Sequence, residues 1–453
     1  MHTTSLHARR RSLFWRIHFW AALIASPFAL VATLTGLLYV FTPQIEATLY
    51  GHLERVTPPA GAAPLPLDAA VAAARRAVPA GLEIATVVPP ASPRDALKVG
   101  FAPPSRATGE HANHAPQPAS AVPATAAAPV PRAADAARRT VFVDPYDARV
   151  LGTQVDEDRF SEWARRLHSR LLQGESLRWM IELAASWMLV MLLTGVWLWW
   201  PRPEQAGQPA LPRAGVRGRQ WHAFLGVLLG VLSLVIILTG LTWSKYAGSQ
   251  VRSARDWAGQ ASPQVPAHLH SMPTGGPRLG WQEAWQRTRA LVPGVPVVLT
   301  PPRGPHGVWR AASADRRHPA SRFDLVLNSY DGQVLYYAGW DRQTAFGKAT
   351  AVGIPFHRGE LGIWNQVLLF VFAAGVLFSL VSGWTMFFKR RRAGLAGLPK
   401  LLPGAWRAAP PAAVALAIGL CALMPLLAMS AAGLAALEAA LVWRRRREGL
   451  AAA

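Results

Sequence analysis

Four histidines stand at the ends of long apolar runs: His18, His168, His222 and His357. Ionisable or metal-ligating side chains are costly at membrane depth, so each is a candidate for function. A neutral imidazole offers one nitrogen lone pair, and two imidazoles complete a six-coordinate haem iron. The single cysteine, Cys421, lies within an apolar run. It excludes an internal disulfide, a cysteine-ligated iron–sulfur cluster and a covalent CxxCH haem, so any haem here is non-covalent. Glu182, inside another apolar run, should face the protein interior, where it could balance the charge of a haem iron or relay a proton. His111 with His114, and His268-Leu269-His270, lack a full ligand set for a metal. No paired-carboxylate or nucleophile–base pattern is visible, which argues against a hydrolase. No nucleotide fingerprint or flavin domain is visible either.

The elements that must position these residues are membrane spans. Of 453 residues, 51% are hydrophobic and 16% charged, a balance that suits several spans. The net charge of +22 would suggest nucleic acid in a soluble protein. Here the basic residues flank apolar runs, so the lipid bilayer is the expected partner and nucleic acid is not. Spans are expected at 19–41, 178–200, 220–244 and 364–388, each near the roughly 20 residues that cross a bilayer core. Clusters at Arg9, Arg10, Arg11 and Arg16, at Arg202, Arg213, Arg217 and Arg219, and at Lys389 to Arg392 all fall on one side. Residues 1–18 and the loops 201–219 and 389–411 are therefore cytoplasmic, in a bacterial inner membrane, by the positive-inside rule. Segments 42–177 and 245–363 lie in the periplasm, the first with an Ala/Pro-rich, disordered insert at 102–137. Residues 412–443 form one further span or a helical hairpin before the tail 444–453; a hairpin would return Arg444 to Arg447 to the cytoplasm. Glu438 in this stretch belongs near an interface rather than to catalysis. Tryptophans near span ends, such as Trp15, Trp200 and Trp243, fit an aromatic belt.

The chain repeats itself. His18 precedes Thr35-Gly36-Leu37 at the interval by which His222 precedes Thr239-Gly240-Leu241. His168 precedes Ala184-Ala185 as His357 precedes Ala373-Ala374, and Thr194-Gly195 and Ser382-Gly383 follow with one residue of slippage. Outside the spans, Asp68 to Val78 and Trp281 to Leu291 read as amphipathic helices. Strand candidates follow at Ile84 to Val88 and Val297 to Thr300. Hairpins turn at Asp144-Pro145-Tyr146-Asp147, between Thr140–Val143 and Arg149–Leu151, and at Tyr330-Asp331-Gly332, between Phe323–Leu327 and Gln333–Tyr336. The expected fold is an α-helical membrane protein with two α+β periplasmic domains, a helix–domain–helix unit occurring twice, plus the C-terminal apolar segment.

Several of these pieces resemble the PepSY-associated transmembrane proteins, often described as iron-regulated membrane proteins. They are Trp15-Arg16-Ile17-His18-Phe19-Trp20, Leu34-Thr35-Gly36-Leu37-Leu38-Tyr39, Arg166-Leu167-His168, Thr194 to Arg202, Trp221-His222 and Phe356-His357-Arg358-Gly359. The Asp144-Pro145-Tyr146-Asp147 turn is PepSY-like. The resemblance runs from Arg11 to Arg392. It implies two PepSY domains in the periplasm and, as in characterised members, a haem-containing reductase of ferric siderophores acting in iron acquisition.

Topology sorts the histidines into an inner pair, His18 with His222, and an outer pair, His168 with His357. Each pair could hold a haem b, giving one or two in all. The residues at +4, +7, +8 and +11 after His18 are Ala22, Ala25, Ser26 and Ala29; after His222 they are Gly226, Leu229, Gly230 and Ser233. Seven of these eight are small, which leaves room beside a ligand for a flat macrocycle or, alternatively, allows small-xxx-small helix packing. His168 falls in an amphipathic interfacial helix over Trp163 to Leu172, whereas Pro355, Gly359 and Gly362 place His357 in a loop. Haem-based electron transfer to a ferric siderophore is the leading expectation. The alternative is a non-enzymatic module whose PepSY domains bind or inhibit a protein or peptidase. The spans read as unbroken, which argues against a transporter.

Overall fold

The computed structural model describes residues 5–104, 137–200, 218–273, 275–391 and 398–451. His111, His114, Arg202, Arg213 and Arg217, and nearly all of the expected insert, lie outside them. The chain forms several apolar helices and one antiparallel sheet. Helix α1, Leu6–Val40, is capped by Ser5, whose hydroxyl accepts from the Ala8 amide at 3.2 Å. Its 35 residues extend ~52 Å against a hydrocarbon core of ~30 Å, so the arginine-bearing first turns project beyond the bilayer. Helices α5, Arg178–Trp199, and α11, Ile363–Arg391, are also long and apolar enough to span. The remaining expected span is bent. It comprises α6, Gly218–Leu228, and α7, Gly230–Thr242, which meet at 57°. In the bundle α1 packs on α5 and α11, while α6 contacts α11 and α5 and α7 contacts α5.

The bend corrects the expectation of unbroken spans, and its cause is tertiary. Leu229 seats its side chain where α11 has Gly375; a Cβ there would come within 2.4 Å of Leu229 Cδ1. The backbone stays bonded through the turn, with the Leu229 amide to the Leu225 carbonyl at 2.9 Å and the Ser233 amide to the Leu229 carbonyl at 2.7 Å. No unwound segment of the kind that binds ions in transporters results. The bend also divides the small-residue stripe after His222, since Gly226 precedes it and Gly230 and Ser233 follow it. Around Gly226 an added Cβ would meet open space, whereas Gly230 faces Leu192.

Beyond the bundle, α1 gives way at Thr42-Pro43 to α2, Thr42–Glu54. Then come α3, Leu67–Arg76, and the strands β1, Glu83–Val88, β2, Leu97–Ala102, β3, Arg139–Val143, and β4, Val150–Val155. Helix α4, Phe160–Arg170, leads into α5. After α7 the chain forms α8, Tyr246–Trp257, α9, Trp281–Leu291, β5, Val297–Thr300, β6, Val308–Ser313, β7, Asp324–Asn328, β8, Val334–Ala338, and α10, Ala345–Arg358. Strands β2 and β6 and helices α2 and α8 were not among the expected elements. The strands of segments 42–177 and 245–363 come together edge to edge. They make one eight-stranded sheet, ordered β4-β3-β2-β1-β5-β6-β7-β8, joined where Val87 pairs with Leu299. Alternation sets the covered face: Leu97, Val99 and Phe101 with Leu299, Leu325 and Leu327 are buried beside Val71 and Ala284, beneath α3 and α9. The two helices cap each other. Asp68 of α3 accepts from the Trp281 and Gln282 amides at 2.9 and 3.0 Å, and Gln282 of α9 accepts from the Leu67 amide at 3.0 Å.

The C-terminal segment is a pair of helices. Residues 399–408 lie along the start of α1: Arg16 donates to the Pro399 carbonyl at 2.7 Å, and Arg10 to the Ala408 carbonyl at 2.9 Å. Helix α12, Pro411–Leu423, breaks at Met424 and α13, Pro425–Ala451, turns back against it. Both touch α8. Glu438 of α13 then meets Arg16 in a buried, bidentate ion pair at 2.7 and 3.0 Å. A helical hairpin is therefore formed, with Arg444 returning to the arginine-rich end of α1. Trp20 Nε1 also donates to Glu438.

Candidate functional site

The four histidines share one local design, built by pairs of neighbouring helices. His18 on α1 places Nδ1 3.0 Å from the Met191 carbonyl and 3.1 Å from Thr194 Oγ1 of α5. His222 on α6 places Nδ1 3.1 Å from both the Ser379 carbonyl and Ser382 Oγ of α11. His168 on α4 meets Thr35 Oγ1 of α1 at 3.0 Å, and His357 on α10 meets Thr239 Oγ1 of α7 at 3.0 Å. In every case the hydroxyl residue is followed by a glycine against which the ring lies. A Cβ at Gly195, Gly36, Gly240 or Gly383 would stand 3.2, 3.3, 3.4 or 3.7 Å from the Cε1 of its histidine.

This arrangement assigns the tautomer. Each hydroxyl donates its own proton to a backbone carbonyl one turn back: Thr194 to Val190 at 2.7 Å, Thr35 to Val31 at 2.8 Å, Thr239 to Val235 at 2.7 Å and Ser382 to Ser379 at 3.0 Å. The hydroxyl oxygen can then only accept, so the imidazole Nδ1 carries a proton, and in the neutral ring Nε2 is the nitrogen with the lone pair. No Nε2 has a hydrogen-bond partner among the described residues, and none is among the enclosed, unpaired atoms. Such a ring, fixed at Nδ1 and open at Nε2, is the state in which histidine ligates a metal. His18 and His222 lie within electrostatic reach of one another, as do His168 and His357.

The two helices outside the bundle are held by ion pairs. The Arg159 guanidinium preceding α4 reaches Glu46 of α2 at 2.8 Å and Glu54 at 3.0 Å, while Glu46 accepts from the Ser161 amide at 2.9 Å. Burial pushes the Glu46 carboxyl up, but the hydrogen bonds from Arg159 and Ser161 outweigh it and hold the group below its ordinary value. His357 is not in a loop. It lies in the last turn of α10, a 14-residue helix that Thr344 caps and that accommodates Pro355 before ending at Gly359 with φ +74°. The reason is the cap at each end, which outweighs the local breakers. Beside it Arg358 donates to the Tyr39 hydroxyl at 3.0 and 2.5 Å and pairs with Glu360 at 2.9 Å, tying α10 to α1.

Glu182 does face the interior, where it is 3% exposed. Its oxygens accept from the Tyr246 and Ala247 amides at 3.0 and 2.6 Å, so it sits on the N-terminus of α8. Among the described residues no three His, Cys, Asp or Glu side chains gather as a metal cluster, and His268 offers its carbonyl rather than its ring to His270, at 2.8 Å. The residues that sequence reasoning missed as parts of a site are Thr35, Thr194, Thr239 and Ser382. They appeared only as markers of repetition; the equal interval from His18 to Thr35 and from His222 to Thr239 was the available signal.

A family model described as PepSY-associated TM region matches residues 15–390. The chain belongs to the PepSY-associated transmembrane family. The match takes in all four histidines and the four hydroxyl–glycine pairs of this PepSY-associated protein, and stops short of α12 and α13. A comparison with curated proteins gave no match.

Proposed function

We propose that this PepSY-associated protein is an inner-membrane, haem-binding electron carrier, a duplicated helix–PepSY–helix unit that reduces a periplasmic acceptor. The observation that carries the proposal is the imidazole held at Nδ1 by a hydroxyl–glycine pair, four times over, with Nε2 left open. His18 with His222 would hold one haem b, and His168 with His357 a second. Bound haem supplies one-electron transfer at each level. The donor set fits: four neutral imidazoles, no cysteine among them, and glycines where a Cβ would crowd the rings. Along α1 the two levels are marked by His18 and Thr35, seventeen residues and ~25 Å apart. That distance matches most of a ~30 Å bilayer core. Glycine and hydroxyl side chains keep each imidazole in one orientation, with Nδ1 engaged and Nε2 free.

The acceptor in this proposal is a ferric siderophore, whose iron is held less tightly once reduced. Residues 245–362 carry 14 Lys and Arg against 7 Asp and Glu, while residues 42–177 carry 14 of each. An anionic chelate would therefore be drawn to the second half of the sheet. The electron donor is external, a quinol or a flavin reductase.

Absorption spectra of the detergent-purified protein, oxidised and dithionite-reduced, test the proposal. Sharp reduced bands are expected, weakened in His18→Ala and His222→Ala and, independently, in His168→Ala and His357→Ala. A featureless spectrum after haem-replete expression would overturn it and leave the PepSY region as a tethered binding module.

A further inference from the structure

A second kind of histidine pair lies outside the bundle, where the sequence shows no ligand motif. His270 and His306 are brought together from segments 36 residues apart, with ring centroids at 6.3 Å and planes at 88°. Both are fixed by carbonyl oxygens: His270 Nδ1 by His268 at 2.8 Å and His306 Nδ1 by Ser271 at 3.2 Å. A carbonyl can only accept, so both Nδ1 atoms carry protons, and Nε2 is the nitrogen that each ring can offer to a cation. The pair is rigidly founded. The Ser271 amide donates back to the His306 carbonyl at 2.9 Å, and buried Ser271 accepts from the Ser329 amide at 2.8 Å. The loop bearing His306 is pinned by the Tyr330 hydroxyl on the Pro305 carbonyl at 2.9 Å and by Arg278 on the Gly304 carbonyl at 2.6 Å.

We propose that His270 and His306 form an exchangeable site for a divalent first-row transition cation. With metal–nitrogen bonds of ~2.0–2.1 Å, two imidazoles on one ion have ring centres roughly 5–6 Å apart, close to the 6.3 Å between these two rings. Imidazole nitrogen selects borderline cations, and Arg278 on the same loop disfavours hard cations held by charge alone. Both rings are exposed, so the remaining positions are filled by water or by an incoming chelator's donors. Two protein ligands make a site that takes up and releases its ion, unlike the closed four-ligand sites that stabilise a fold. The site is independent of the haem proposal, since it uses none of the four membrane histidines.

Copper(II), the tightest-binding divalent ion of the series, is the probe. The full chain, without a polyhistidine tag and stripped with chelator, is titrated with Cu2+ by calorimetry and by electron paramagnetic resonance. His270→Ala and His306→Ala should each weaken binding by at least the roughly 10–100-fold that loss of a supporting contact costs a metal site, with the two-nitrogen hyperfine pattern reduced in each and absent in the double variant. His268→Ala keeps a backbone carbonyl at that position and should bind as the parent does. Haem content, read from the same samples, should be equal in all four proteins. Equal Cu2+ binding by the parent and the His270→Ala/His306→Ala double variant would overturn the proposal, as would an equal loss in His268→Ala.

Discussion

Replacing the glycines beside the histidines by alanine separates the packing argument from a general dependence on the helices. Each Gly→Ala change within a helix gains about 0.8–1.0 kcal/mol of helix propensity. At Gly383 the new methyl meets His222 Cε1 at 3.7 Å, an ordinary contact, so that gain should survive. At Gly195 the methyl meets His18 Cε1 at 3.2 Å and Nδ1 at 3.6 Å. The ring must withdraw by ~0.4 Å, which stretches its 3.0 Å bond to Met191 beyond the usual range of about 2.7–3.2 Å. Overpacking of this kind costs about 1–3 kcal/mol, more than the propensity gained. Thermal unfolding in detergent, with haem per chain from the reduced spectrum, reads both consequences. Gly383→Ala should melt at or above the parent with full haem, and Gly195→Ala should melt lower with depleted haem. Gly36→Ala at 3.3 Å and Gly240→Ala at 3.4 Å should fall between them. A Gly383→Ala protein as damaged as Gly195→Ala, or a silent Gly195→Ala, would refute the argument from ring clearance.

Other expectations follow from the polar contacts. Glu438→Gln leaves the Arg16 guanidinium buried without its counter-charge and should lower unfolding stability by about 3–5 kcal/mol, whereas the double change Arg16→Met with Glu438→Leu should recover most of it; denaturant titration distinguishes the two. Asp68→Ala removes the cap on α9 and should cost about 0.5–2 kcal/mol, measured the same way, with haem content unchanged. Because Glu46 has a folded value below its unfolded one, its contribution to anchoring α4 is complete above pH ~4.3 and disappears as pH falls through the folded value. Hydrogen-exchange protection factors across Phe160–Arg170 should therefore fall below that pH in the parent, while Glu46→Gln should show the reduced protection at pH 7 already.

Much of this was readable from residue order. Apolar length located the spans, and the repetition of histidines marked the four rings that the structure sets against hydroxyl–glycine pairs. Strand β2 was readable too, as the alternating Leu97, Val99 and Phe101, but it is short and ends in Gly100 and Ala102. Strand β6 has only Val308 and Trp309 as strong strand formers before Ala311 and Ala312. The remaining features depend on partners distant in sequence. Nothing near Leu229 foretells a bend whose socket is Gly375, and nothing in Val87 foretells pairing with Leu299. Glu182 was correctly turned inward, yet its occupation by two amides of α8 depends on where the following helix begins. Pro355 and Gly359 suggested irregular chain, and the capped α10 absorbs both.

Helix α1 carries His18 near one end and Thr35, the holder of His168, near the other. The helix is continuous from Leu6 to Val40, so a slip of one residue would shift both ends by ~1.5 Å and turn them by ~100° together. The two sides of the membrane are thereby kept in register by a single piece of backbone. The opposite helix cannot serve in this way. With its 57° elbow between His222 and Thr239, a twist entering α6 is not delivered along the axis of α7. One side of the bundle is a continuous helix and the other a joint, and at the joint a movement at one level need not be passed to the other.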